Sequence, residues 1–217
     1  MSTVPVASGS SVYPATLTID YPDRKLNRLT SFFRIFTAIP IYVILALLTG
    51  GLYTIGTHLP TWRIDLAIGG ALFLPLVLMI LFRKKYPKWW FDWSLSLTRF
   101  GVRTMAYIAL LRDEYPSTDE EQAVHLDLKY PDVQIELSRG LPLVKWILIF
   151  PNAFVLLFLF IAAIFCVIIA WFAILFTGHY PKALFDFVVG VERWGLRAEA
   201  YALLLITDKY PPFSLKG

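Results

Sequence analysis

Cysteine occurs once in this chain and histidine three times. The lone Cys166 excludes an intrachain disulfide and any zinc cluster built on cysteine. His58, His125 and His179 have no His, Cys or carboxylate at metal-ligand spacing on a shared helix, so no metal or other cofactor is expected. Charged residues are scarce too, 17% against about 25% in soluble domains. The net charge of +4 is modest, and the basic residues flank hydrophobic runs. That placement suits anionic headgroups rather than a nucleic-acid groove. No Gly-rich phosphate loop is present; the glycines at Thr49–Gly51 and Gly69–Gly70 lie in apolar runs, where small residues serve close helix packing. Serine and threonine have no neighbouring histidine to activate them. The expectation is that the chain is not an enzyme. "MSTVPVASGSSVYPAT" lacks the basic start and apolar stretch of a secretory signal and reads as a flexible tail.

Apolar residues fill the space that charge leaves. They make up 57% of the chain, and mean hydropathy is +0.61. Three runs carry no charge: Ile35 to Trp62, Leu66 to Phe82 and Trp146 to Phe176. About 20 apolar residues cross a bilayer as a helix. The third run, as one helix, is about 46 Å long and exceeds a hydrocarbon core of about 30 Å. It must tilt, protrude or bend near Pro151-Asn152. Three spans are expected, roughly 35–56, 64–83 and 150–177.

The chain repeats itself. "LTIDYP" at Leu17 returns as "LDLKYP" at Leu126, and Arg34 and Pro40 return as Lys145 and Pro151. Between Leu81–Leu111 and Leu175–Leu205, 14 of 31 positions are identical without gaps. Each half closes on Tyr-Pro, in "RDEYPS" and "TDKYPPF". Chance likeness between apolar stretches would match Leu and Val; here Tyr, Pro, Lys, Asp, Arg and Gly match. The division expected is a tail at 1–16, a first membrane unit at 17–116, a linker at 117–125, a second membrane unit at 126–213 and a tail at 214–217. Each unit reads as a short strand, a lead-in helix, a hydrophobic section, an aromatic helix and a Tyr-Pro stop. The strands alternate apolar and polar residues, as half-buried strands do, and could pair outside the bilayer. Positive charge at Arg24–Arg34 and Arg83–Lys88 places both ends of the first section in the cytoplasm. The third span then puts the C-terminus outside, in conflict with two units that ought to sit alike.

The aromatic helices, 86–112 and 180–206, carry a narrow polar stripe. At about 100° per residue, Lys88, Asp92, Arg99 and Arg103 share one face of the first. Lys182, Asp186, Arg193 and Arg197 share it on the second. Glu192 and Glu199, seven apart, add a separate acidic face to the second helix alone. A charge at a spanning helix centre costs about 2.5–3.5 kcal/mol on insertion scales. Lying in the membrane interface avoids that cost, so in-plane helices are expected over spanning ones. A narrow stripe also suits a helix buried in a bundle. Two destinations stand open for the eight residues: lipid phosphates, or an exchange of ion pairs between the helices, Asp92 with Arg193 or Arg197 and Asp186 with Arg99 or Arg103.

"WFAILFTGHYPKALFDFVVGVERWGLRAEAYALLLITDKYPPF", Trp171 to Phe213, resembles the bacterial membrane-protein family catalogued as domain of unknown function 4389. The apolar helix ending in Leu-Phe-Thr-Gly, the Tyr-Pro, the Arg-Trp-Gly-x-x-Arg helix and the final Tyr-Pro-Pro-Phe carry the likeness. The first unit is looser, with "ILFRKKYP" for the Thr-Gly form and "DEYPST" for the close. The runs and helices read as a mainly α, multi-pass membrane protein; the resemblance implies the bacterial cytoplasmic membrane and supplies no catalytic residue. The functional expectation is a non-enzymatic accessory or structural subunit that packs against a membrane complex. A lipid- or hydrophobic-ligand-binding protein is the alternative, and a small oligomeric transporter or channel the second alternative. Partners expected are membrane lipids and other membrane protein subunits, with no nucleic acid.

Overall fold

The computed structural model describes residues 13–49, 75–118 and 120–216. The chain is mainly helical with one small sheet. Strand β1 (Ala15–Ile19) pairs antiparallel with β2 (Val124–Leu128), with Leu17 opposite Leu126. Both strands bury alternate residues, as the period of two dictates. Leu17, Ile19, Leu126 and Leu128 go into the core, while Thr16, Thr18 and Asp127 stay outside. β1 starts within the expected tail, and β2 within the expected linker.

Helix α1 (Arg28–Thr49) begins where the Asn27 side chain accepts the backbone N–H of Leu29 at 3.0 Å, an N-cap. Pro40 lies inside it. A proline denies the carbonyl four residues earlier its partner, and the helix bends by 49° between Arg28–Arg34 and Phe36–Leu45. A π-helical turn, Met79–Arg83, then stops at Lys84 in the left-handed region. α2 (Lys88–Ile108) starts directly after Pro87. In the second half, α3 (Leu141–Leu148) and α4 (Phe150–Thr177) are separate helices with their break at Ile149. Helical hydrogen bonds nevertheless run through this point, close to the expected tilt, protrusion or bend at Pro151-Asn152: Ile149 N–H donates to Lys145 O at 2.9 Å and Ala153 N–H to Ile149 O at 2.8 Å. α4 ends at Gly178, φ 77°, whose N–H reaches Ile174 O; glycine takes that conformation without the Cβ penalty. Pro181 then starts α5 (Lys182–Ala202).

α4 and α5 pack antiparallel along their length. The Phe160 ring lies 3.2 Å from where a Cβ on Gly195 would stand, and the Trp194 indole donates to Asn152 Oδ1 at 2.8 Å. Ala163 and Ala170 are buried in the same seam, where small side chains let helices approach. The core joins this hairpin, the sheet and α2 through Tyr180, Phe185, Val191, Ile80 and Leu111.

By length and composition, α4 is long and apolar enough to cross a bilayer: 28 residues with mean hydropathy 3.3 over its best window, of which only 17% is buried in the chain. The two halves of α1 qualify only if counted as one broken span. Of the three expected spans, then, one unbroken helix stands among the described residues. The second, 64–83, falls largely outside them. α5, expected to lie in the membrane interface, packs against α4 through this seam.

Candidate functional site

The polar stripe turns out to be occupied from within. Arg99 Nε donates to Leu126 O at 3.0 Å, and Arg193 Nε donates to Leu17 O at 2.9 Å. Leu17 and Leu126 are the paired centres of the two strands. Each aromatic helix therefore holds the strand of the other unit. The next arginine ties down the closing segment of its own unit: Arg103 donates to Ser117 O at 2.7 Å, and Arg197 to Ser214 O and to Lys216 O at 2.8 Å. The tail expected from 214 is thus part of the packed structure, and Gly190 admits it. A Cβ there would lie 2.9 Å from Leu215 Cβ.

The aspartates do not reach those arginines. Lys88 Nζ pairs with Asp92 at 3.0 Å, and Lys182 Nζ with Asp186 at 3.8 Å. Both are exposed pairs four residues apart on one helix, worth a few tenths of a kcal/mol. The lysines cross over as the arginines do. Lys88 sits 5.8 Å from the Tyr130 ring and Lys182 5.1 Å from the Tyr21 ring. Those tyrosines follow the strands, and their hydroxyls donate to Tyr86 O and Tyr180 O at 2.6 and 2.5 Å. An exchange between the units is present, but it runs through strands and backbone carbonyls rather than through ion pairs between helices.

A second matched pair explains the echo of Arg34 in Lys145. Arg34, buried, donates to Tyr107 O and Arg112 O at 2.9 Å, forms an ion pair with Asp113 and lies 4.5 Å from the Tyr107 ring. Lys145 has no exposed surface. It pairs with Asp208 at 2.8 Å, donates to Thr207 O at 2.7 Å and lies 4.9 Å from the Tyr201 ring. Each lead-in helix is bolted to the end of its own aromatic helix by one buried cation. Burial lowers the Lys145 pKa, and the Asp208 carboxylate opposes that shift. In the connection between units, burial raises the Glu114 pKa, but hydrogen bonds from Arg112 and the Ala123 N–H more than offset this and leave it lowered. Glu136 is lowered by Lys129 and the Asp132 N–H.

One cavity departs from the repeat. About 480 Å³ opens between α2 and α5, against Tyr42 of α1 and Trp146 of α3. Its walls include Trp90, Trp93, Val102 and Leu203, with Glu192 and Glu199 on one side. At the corresponding positions the first unit has Thr98 and Met105. No lysine, arginine or histidine lines it among the described residues. Sequence reasoning placed the two glutamates on a separate face but did not join them to the tryptophans. The signal was available: they are the charged residues of the second helix that have no counterpart in the first.

Among the described residues the histidines stand apart from one another. His125 pairs with Asp20 at 3.2 Å, the His179 amide bonds to Thr177, and His58 lies outside the described residues. Among the described residues no three metal-ligating side chains come together. Residues 142–214 match a family of unknown activity. Its description is Domain of unknown function (DUF4389), and the match covers most of the second unit. Comparison with curated proteins and with solved structures returned no match.

Proposed function

We propose that the chain is an integral protein of the bacterial cytoplasmic membrane that acts as a non-enzymatic accessory subunit of a membrane complex. The observation that carries this reading is the uncovered apolar flank of α4. Phe154, Phe158, Phe165, Ile169 and Phe176 are each more than half exposed, on a helix long enough to cross. A continuous apolar surface of that size marks contact with membrane or protein. The opposite side supports the same reading. Its arginines are spent on internal carbonyls, which makes a rigid platform rather than a reactive site.

The experiment has two stages. Membranes containing the chain are washed with alkaline carbonate; retention in the pellet is expected, and release into the wash refutes membrane integration. The chain is then purified in mild detergent. Stoichiometric co-purification of other membrane subunits is expected, and a strictly lone monomer under every mild condition refutes the accessory role. The cavity between α2 and α5 favours a second reading, a binding site for a hydrophobic ligand.

A further inference from the structure

The cavity between α2 and α5 holds two carboxylates on the apolar side of the molecule. The stripe face of each helix meets the strands and closing segments; this face meets Trp146 and Tyr42, on helices that lead into the hydrophobic sections. A carboxylate in apolar surroundings must be paired or neutralised. Among the described residues, nothing pairs with Glu192, and Glu199 has only Thr98 Oγ1 at 3.5 Å. The walls carry aromatic faces instead of cations. The Trp90 and Trp93 rings lie 5.3 Å apart between centroids with their planes tilted by 32°, and the buried Trp90 indole nitrogen has no hydrogen-bond acceptor at bonding distance.

We propose that this cavity binds the ammonium group of an amphipathic amine, with Glu192 and Glu199 as counter-ions and Trp90 and Trp93 as its aromatic wall. The inference deepens the hydrophobic-ligand reading of the same cavity. Tryptophan faces attract ammonium groups, most strongly where water is excluded. A site of a few hundred cubic ångströms with few convergent polar groups is the ordinary form of a small-molecule pocket. The remaining walls, Val102, Met105, Leu203 and Leu204, suit a hydrocarbon body. Two sources share this chemistry: the ethanolamine headgroup of a phospholipid, entering from the bilayer, and a free long-chain amine.

The test uses the full chain in detergent and in phosphatidylcholine nanodiscs, read by tryptophan fluorescence. Dodecylammonium, dodecanol and dodecyl sulfate are titrated in turn. Saturable quenching by dodecylammonium is expected, at least about tenfold tighter than by dodecanol. Equal binding of the alcohol or the sulfate overturns the proposal, and this needs no variant. E192Q/E199Q should weaken ammonium binding about tenfold or more, since a buried charge loses its partner. W93L, at a side chain 37% exposed, should weaken it several-fold while the chain stays folded. An unchanged affinity in both variants overturns the site. Arg63 lies outside the described residues, so R63Q serves as a control for a cation supplied by the chain itself. Ammonium binding that appears only in R63Q overturns the proposal. Nanodiscs doped with phosphatidylethanolamine then separate the sources: competition with dodecylammonium assigns the headgroup, and none assigns the free amine. Loss of this binding leaves carbonate retention and co-purification untouched, so the two readings fail separately.

Discussion

Replacing Asp208 by asparagine leaves the Lys145 ammonium buried without a counter-ion. Lys145 has no exposed side-chain surface, and Asp208 only 17%. Removing one partner of a buried pair costs about 3–5 kcal/mol. Two contacts remain to the ammonium, Thr207 O at 2.7 Å and the Tyr201 ring at 4.9 Å, and a desolvated cation–aromatic contact is worth about 0.5–2 kcal/mol. The substituted amide also keeps an oxygen for the Ser138 N–H, which bonds Asp208 Oδ2 at 2.6 Å. The expected loss is therefore near the low end, about 3 kcal/mol. For a chain of this size, about 2–4 °C accompanies each kcal/mol, so Tm should fall by about 6–12 °C. Thermal unfolding in mild detergent, followed by tryptophan fluorescence, reads it. Lys145→Met together with Asp208→Asn removes both charges and should cost only about 1 kcal/mol, because no orphan charge is left behind. Asp208→Asn within about 0.5 kcal/mol of the parent, or single effects that simply add, would refute the buried-cation reasoning.

Three other outcomes follow from the same contacts. Gly190→Ala puts a methyl 2.9 Å from Leu215 Cβ and 3.1 Å from its carbonyl, so the closing segment must shift; a loss of about 1–2 kcal/mol is expected, with faster hydrogen exchange at 213–216, and unchanged exchange there would count against it. Arg99→Lys and Arg193→Lys keep the charge but lose the guanidinium fork that reaches Leu126 O and Leu17 O, and each should cost about 1 kcal/mol or more; melting temperatures equal to the parent's would show that the helices do not hold the strands. Glu114, with its pKa lowered in the fold, binds protons more weakly folded than unfolded. Its contribution is present above the ordinary glutamate value of 4.5 and is lost as pH falls below it. Acid should therefore loosen the connection between the units, seen as faster exchange of the Ala123 amide relative to the core at pH 3.5 than at pH 6, whereas equal relative protection would contradict it.

Much of the architecture was legible because its signals are local. Alternation in "LTIDYP" and "LDLKYP" announced two strands. The long uncharged run announced the helix now seen as Phe150–Thr177, and the Leu-Phe-Thr-Gly motif its end at Gly178. The stripe of Asp, Arg and Arg was visible from helical geometry alone. Its destination was not, because the acceptors are backbone carbonyls in strands and closing segments, from 14 to 176 residues away along the chain. Carbonyls have no letter in a sequence, so charge pairing looked the natural outlet for Asp92 and Asp186. The lysines at the i,i−4 positions, Lys88 and Lys182, were the overlooked local answer. Likewise, the shared orientation of α4 and α5 depends on Gly195 meeting Phe160, a contact between a glycine and a ring with no periodic signature.

The stripe's destination changes what the repeat means physically. Neither unit completes its own core: β1 lies on α5, and β2 on α2. Arg193 and Tyr21 lock one crossing, and Arg99 and Tyr130 lock the other. Arg193 and Leu17 are 176 residues apart but Arg99 and Leu126 only 27, so the loop-closure cost falls mainly on the crossing of β1 with α5. Once one strand is placed, its pairing with the other positions the second for its own arginine. A device of this kind holds two helices at a fixed spacing, and that spacing sets the width of the cavity carrying Glu192 and Glu199. The matched contacts supply the frame; the two glutamates, which stand where Thr98 and Met105 stand in the first half, are where the second half departs from it.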